Sequence, residues 1–230
     1  MKKDIPMETL DPARTALVVV HMVKGVAGEV DTPFNRIFRP RAQKTGIIGV
    51  QARLLDGFRT GKAKSQAKVV YTAVTYQLGY PGVTRNSRLF RTLIDNGPSL
   101  LLEGTPAVEI IDDLAPRSGE PVVRGQGANG FDRTELDSIL RQAGVDTLVL
   151  VGIATDVAVE STARAACDLG YRTIVVSDAC TADSDEAHSR SLDVVRAWFG
   201  ETSTADEVLS ALGGERIDSG KSVEATRTAA

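Results

Sequence analysis

The amino-acid sequence predicts an α/β protein: a three-layer α/β/α arrangement around a mostly parallel, doubly wound sheet. Three observations lead there. Short β-rich apolar runs alternate with longer segments of helical period, the pattern of successive βαβ units. The runs are almost continuously apolar, as expected of strands covered on both faces. The length of 230 residues, with 42% hydrophobic and 25% charged residues, fits one ordinary globular core.

The predicted strands are Ala16 to Val20, Lys68 to Val74, Pro121 to Arg124, Thr147 to Val151 and Arg172 to Ser177, with a further short one around Leu100 to Leu102. Between them, Ile47, Val50, Leu54 and Phe58, and later Leu136, Ile139, Leu140 and Ala143, recur at helical spacing and predict amphipathic helices. Asp132 with Glu135, and Asp183 with Glu186, have the spacing of capping boxes and predict two helix starts. A helix is expected from about Asp156 to Leu169, closed by Gly170, and another carrying Leu192, Val195 and Trp198 or Phe199. A final helical stretch is expected over Ser203 to Leu212. One domain over residues 1–212 is expected, with the polar, aperiodic residues 213–230 as a mobile tail or an arm ordered against another subunit.

Composition narrows the function classes. No apolar run approaches the roughly 20 residues of a membrane span, and the N-terminal MKKDIPMETL lacks the apolar core of a secretory signal, so a cytoplasmic protein without membrane contact is expected. A formal charge of -3 argues against nucleic acid as a partner and for a small molecule. Cys167 and Cys180 show neither disulfide nor zinc spacing, and His21 and His188 are the only histidines, so no metal and no cofactor is expected.

In open parallel sheets ligands bind beyond the carboxyl ends of the strands. That rule selects His21, Thr75, Tyr76, Arg124 and the turn Gly152 to Asp156, which are expected to converge. The stretch GIATDVAVESTARAACDLGYRTIVVSDAC, with ALVVVHM before it and NGFDRTEL between, resembles the isochorismatase-like hydrolase superfamily, which includes nicotinamidases and related amidohydrolases; the resemblance spans roughly residues 14–200. GYPGVTRNSRLF resembles a loop in a branch of that family without the usual nucleophile.

The resemblance implies an Asp at the first strand end, a Lys after the middle strand and a Cys opening the helix after GIATD. The matching positions here hold His21, Arg124 or Gly125, and Ala158. A methyl group cannot attack a carbonyl, so a covalent thioester route through position 158 is excluded. The resemblance also implies a cis Ile153-Ala154 peptide and backbone N–H donors there and at Ala158, forming an oxyanion cradle. It implies Phe131 as a pocket residue and a homo-oligomer, dimer or tetramer.

Each residue has a plainer reading beside the functional one. His21 fits a ligand-facing acid or base, and equally an imidazole that satisfies nearby backbone groups. Arg124 fits an anion anchor or a surface ion pair. Thr155 and Asp156 are expected to cap the helix, and His188 to be structural. Tyr76, Tyr80 and Phe131 fit pocket walls or core aromatics, and Lys24 is a candidate for the missing ammonium. Two functions follow: a non-cysteine hydrolase of a small carboxylated or carbonyl-containing metabolite, with Ile153, Ala154, Thr155, Ala158, Phe131 and Tyr76 around the substrate, or a catalytically silent binder of a metabolite or partner protein.

Overall fold

The computed structural model describes residues 8–60 and 68–213. Almost all of the polar C-terminal stretch expected as a tail lies outside the described residues. The elements in order are β1 (Thr15–Val20), α1 (Pro33–Thr45), α2 (Ile47–Arg59), β2 (Lys68–Val74), α3 (Arg88–Asp95), β3 (Val122–Gly125), α4 (Leu136–Gln142), β4 (Thr147–Ile153), α5 (Glu160–Asp168), β5 (Arg172–Thr181), α6 (Asp185–Val194), β6 (Glu201–Ser203) and α7 (Ala205–Gly213). The sheet runs β3-β2-β1-β4-β5-β6, and every neighbouring pair is parallel. This is the doubly wound order, with its reversal between β1 and β4.

The alternation of side chains along each strand divides the core in two. From β1, Leu17 and Val19 join Ala42, Leu54, Phe58 and Val208 on one face, packing against α1, α2 and α7. Ala16, Val18 and Val20 point the other way, to Leu136, Leu140, Ala163 and Leu192 of α4, α5 and α6. All six β1 residues are buried. Each fully buried Val or Leu contributes about 1.5–3 kcal/mol of hydrophobic stabilisation, so the centre of the sheet is its best-anchored part.

Several local expectations are corrected. Leu100 to Leu102 forms no strand; it meets the sheet at a single bridge, Tyr76 to Leu102. Asp132 does not start α4, which begins at Leu136, and the Thr134 hydroxyl accepts from the Leu136 N–H at 3.3 Å. At α6 the cap is Ser184 rather than Asp183, with its hydroxyl accepting from the Ala187 N–H. Both α5 and α6 adjoin one wide π turn, Thr155–Val159 before α5 and Val195–Phe199 after α6. In the second of these Trp198 stands 78% exposed, while the Arg164 guanidinium lies 4.1 Å over the Phe199 ring. Gly170 takes the left-handed position past α5 (φ +85°).

Candidate active site at the carboxyl ends of the strands

His21 directly follows β1 and takes a left-handed backbone conformation (φ +54°) uncommon for a non-glycine residue. Its N–H donates to the Thr72 carbonyl at 2.9 Å, so the turn out of β1 stays fastened to β2. The ring is buried, with 7% exposure, and Nε2 lies 3.1 Å from the Ala128 carbonyl oxygen. A carbonyl can only accept, so the hydrogen sits on Nε2 and Nδ1 carries the lone pair. Nδ1 has no partner, although it is buried. Burial lowers the pKa of His21, against the opposing pull of the Ala128, Thr72 and Gly127 carbonyls, and the ring is neutral at pH near 7.

Across the switch point, β4 runs into Gly152, whose φ of +134° and close approach to β1 exclude a side chain: a Cβ would lie 2.1 Å from the Val20 carbonyl oxygen. The Ile153-Ala154 peptide that follows is cis. The Val157, Ala158 and Val159 N–H groups converge on the Ala154 carbonyl at 3.2, 2.9 and 3.0 Å. The Ala158 N–H expected to face a ligand is thus already engaged. Neither Thr155 nor Asp156 caps the helix, since the residue before the π turn makes no side-chain cap bond. The Thr155 hydroxyl instead lies 2.8 Å from His188 Nδ1. Asp156 is exposed, with its pKa raised by desolvation and then by the Asp183 and Glu160 carboxylates.

The cavity at this end of the sheet, about 340 Å³, lies over β2 and β3. Thr75, Tyr76, Arg124 and Gly125 line it, with Gln77, Glu103, Gln126, Asp132 and Arg133 around them. Arg124 and Gly125 therefore both face it. His21, Ile153, Ala154, Thr155, Ala158 and Phe131 do not line it, so the expected convergence is partial. Phe131 stacks on Tyr171 with ring centroids 5.9 Å apart and packs against the second core cluster. Tyr76 and Tyr80 are both buried and meet edge to face at 5.4 Å.

The loop after β3 connects the two halves. Gly125 and Gln126 line the cavity, the Gln126 carbonyl accepts from the Tyr76 hydroxyl at 3.0 Å, and two residues on, the Ala128 carbonyl holds His21. The Gly130 N–H then donates to Thr162 Oγ1 of α5 at 3.0 Å. This loop thus touches both the cavity and the imidazole.

Lys24 is not a spare ammonium near His21. It reaches Asp112 at 3.0 Å, Glu109 at 3.2 Å and Glu29 at 3.7 Å, and the first two carboxylates raise its pKa. Cys180 is buried in β5, and desolvation pushes its thiol up to about 12. Among the described residues, no three His, Cys, Asp or Glu side chains are gathered so that they could hold a metal ion. No helix among them is long and apolar enough to cross a membrane.

A six-stranded parallel sheet in doubly wound order, with its cavity at the carboxyl ends of the strands, is shared by many enzymes, and comparison with known families decides among them. Residues 15–207 match the isochorismatase domain. The chain belongs to the isochorismatase family. It is 30% identical over 203 residues to YwoC, an isochorismatase family protein of Bacillus subtilis (strain 168), covering 87% of this chain and 95% of that one. To the ureidoacrylate amidohydrolase RutB of Methylobacterium radiotolerans it is 32% identical over 214 residues, or 89% of this chain and 81% of that protein. Among solved structures of the family's fold, a cysteine hydrolase from Pseudomonas syringae pv. phaseolicola 1448A superposes with TM-score 0.74 at 29% identity, covering 92% of this chain and 98% of that one. The N-carbamoylsarcosine amidase of Thermoplasma acidophilum superposes with TM-score 0.65 at 31% identity, over 84% and 97% of the two chains.

Sequence reading misses Gln77, Glu103, Gln126 and Arg133 of the cavity lining, and Glu103 is the hardest of them to find. An acidic residue in an irregular loop carries no signal of its own, and only the single bridge between Tyr76 and Leu102 brings it to the cavity.

Proposed function

We propose that this family member hydrolyses an amide-type bond in a small carboxylated metabolite without a cysteine nucleophile. The observation that carries the reading is the buried, unpartnered lone pair on His21 Nδ1. A neutral imidazole with its hydrogen on Nε2 leaves Nδ1 able to accept a hydrogen bond and, from a water reaching it, a proton. In the proposed step, water attacks the substrate carbonyl carbon and gives its proton to Nδ1. The tetrahedral intermediate then collapses, the carbon–nitrogen bond breaks, and the proton passes from the imidazolium to the departing nitrogen.

Arg124, exposed in the cavity, would hold the substrate carboxylate, and Tyr76 would wall the site. The turn from Ile153 through Ala158 would lie against the carbonyl. Amide chemistry is supported by the printed activities of two relatives, the ureidoacrylate amidohydrolase and the N-carbamoylsarcosine amidase. Ala158, where the family resemblance implies a cysteine, supports a route with no covalent intermediate. The same reading takes the protein to be a cytoplasmic homo-oligomer, dimer or tetramer, consistent with exposed Trp198 and Leu78 at 78% and 71%.

A second reading, a silent binder, draws on the low exposure of His21 and the engaged Ala158 N–H. The test is turnover of a panel of amides, imides and vinyl ethers by the wild type and His21→Ala. Loss of about 100-fold or more in the folded variant supports the base role. Tight binding of panel members with no product from any of them supports the binder instead.

A further inference from the structure

Four charged side chains line the cavity over β2 and β3: Arg124, Arg133, Glu103 and Asp132. Two of them neutralise each other, since Arg133 Nε lies 3.3 Å from Asp132 Oδ2. The other two have no ion-pair partner among the described residues. Arg124 makes only two long contacts to neutral acceptors, Thr75 Oγ1 at 3.4 Å and the Val108 carbonyl at 3.3 Å. Among the described residues no side-chain hydrogen bond or ion pair holds Glu103. The cavity thus presents one cation and one anion that do not reach each other.

Both are placed by backbone rather than by chance. Arg124 sits in β3 opposite Ala73, and the strand is closed by the Thr75 N–H donating to the Gly125 carbonyl at 2.8 Å. Glu103 is pinned at the end of β2 on the far side of Tyr76: its N–H donates to the Tyr76 carbonyl at 2.8 Å, and the Tyr76 N–H to the Leu101 carbonyl at 2.9 Å. The Tyr76 hydroxyl between them is spent on Gln126. A ligand that reaches only one pole leaves the other without a partner, whereas one with a carboxylate at one end and an N–H donor at the other engages both.

We propose that Arg124 and Glu103 are the two poles of one subsite, which selects small acids carrying a carboxylate at one end and an N–H-donating group, ammonium or ureido, at the other. A cavity of about 340 Å³ is at the small end of the roughly 300–1,000 Å³ usual for ligand sites, in keeping with a compact ligand. The carboxylate pole rests on the function proposed above, while the Glu103 pole extends it to substrate class.

The test is calorimetric binding of β-alanine, its N-carbamoyl derivative, propionate and propylamine, which requires no turnover. At least one dipolar acid binds the wild type about tenfold or more tightly than propionate and propylamine. In Glu103→Gln that advantage over propionate disappears while propionate binds as before, and in Arg124→Gln every acid weakens about tenfold. Equal binding of propionate and both dipolar acids, an advantage that survives Glu103→Gln, or no binding of any probe overturns the proposal. Selective binding without hydrolysis of any dipolar amide would leave this subsite standing and remove the hydrolase reading. Hydrolysis with unchanged KM ratios in Glu103→Gln would do the reverse.

Discussion

Thr155 and His188 are joined by a 2.8 Å contact between the threonine hydroxyl and the imidazole Nδ1, which ties the turn after β4 to α6. The Thr155 carbonyl accepts from Ser191 Oγ at 3.0 Å, so α6 holds the same residue twice. Thr155 is 1% exposed, and His188→Ala leaves its hydroxyl buried without that partner, at an expected cost of about 1–3 kcal/mol. Urea unfolding of His188→Ala, Thr155→Val and the double variant measures the coupling. The double variant is expected to be less destabilised than the sum of the two by at least about 0.5 kcal/mol; simple additivity would dissolve the pair.

Acid is expected to destabilise the fold before most carboxylates titrate. Burial lowers the pKa of both His21 and His188 from the ordinary 6.5; at His188 the Arg41 charge adds to burial, while Asp185 and Asp156 oppose it. Each ring is neutral in the folded state and takes up its proton more readily when unfolded. Their contribution is fully present above about pH 6.5 and is lost as pH falls below it toward the depressed folded-state values. Denaturation midpoints measured at closely spaced pH values read this directly. A profile flat from about pH 7 to about pH 5 would contradict it.

Gly152→Ala is expected to be severe and Gly170→Ala mild, although both glycines have positive φ. A methyl at 152 would lie 2.1 Å from the Val20 carbonyl oxygen, whereas at 170 nothing lies within 4 Å. Backbone strain alone accounts for about 1 kcal/mol at 170, and the collision at 152 raises the cost to about 3 kcal/mol or more. Soluble yield and thermal midpoints of the two variants should separate clearly, and similar midpoints would refute the distinction.

Two ion pairs are expected to behave oppositely. Arg59 and Glu120, with side chains 12% and 13% exposed, share bonds of 2.8 and 2.6 Å, and Arg59 also donates to the Tyr71 hydroxyl at 2.9 Å. Arg59→Met strands a largely buried carboxylate and is expected to cost about 3–5 kcal/mol. Arg36 and Asp31, 69% and 68% exposed, form an equally short pair on the surface, yet Asp31→Ala is expected to cost less than about 1 kcal/mol. Chemical denaturation of both variants gives the comparison.

What could be read from sequence follows the physics of each element. β1, β2, β4 and β5 are legible because burial on both faces demands apolar runs such as ALVVV and TLVLV. Strand β6, the three residues Glu201 to Ser203 on the sheet edge, has no such demand and no such signal. Helix α1, with Pro40 inside it and buried side chains only at Asn35 and Ala42, is equally silent. The capping predictions err by one to three residues because a neighbouring Ser or Thr hydroxyl was the better-placed acceptor.

At the site, the strand-end rule places His21, Tyr76 and Arg124 at the carboxyl end of the sheet, where the structure also has them. It cannot tell that the loop from Gly125 to Phe131 both lines the cavity and holds the imidazole, because that path depends on tertiary contacts such as Gly130 to Thr162.

The position of each residue in the sheet also has a consequence for how the protein can vary. His21 and the Gly152 turn end β1 and β4, the two central strands, where a changed side chain disturbs packing on both sides. Arg124 lies on the outermost strand and Glu103 on a loop joined by one bridge, where replacements are tolerated. Substitutions at this edge can therefore alter what the cavity receives without disturbing the packing of the two central strands.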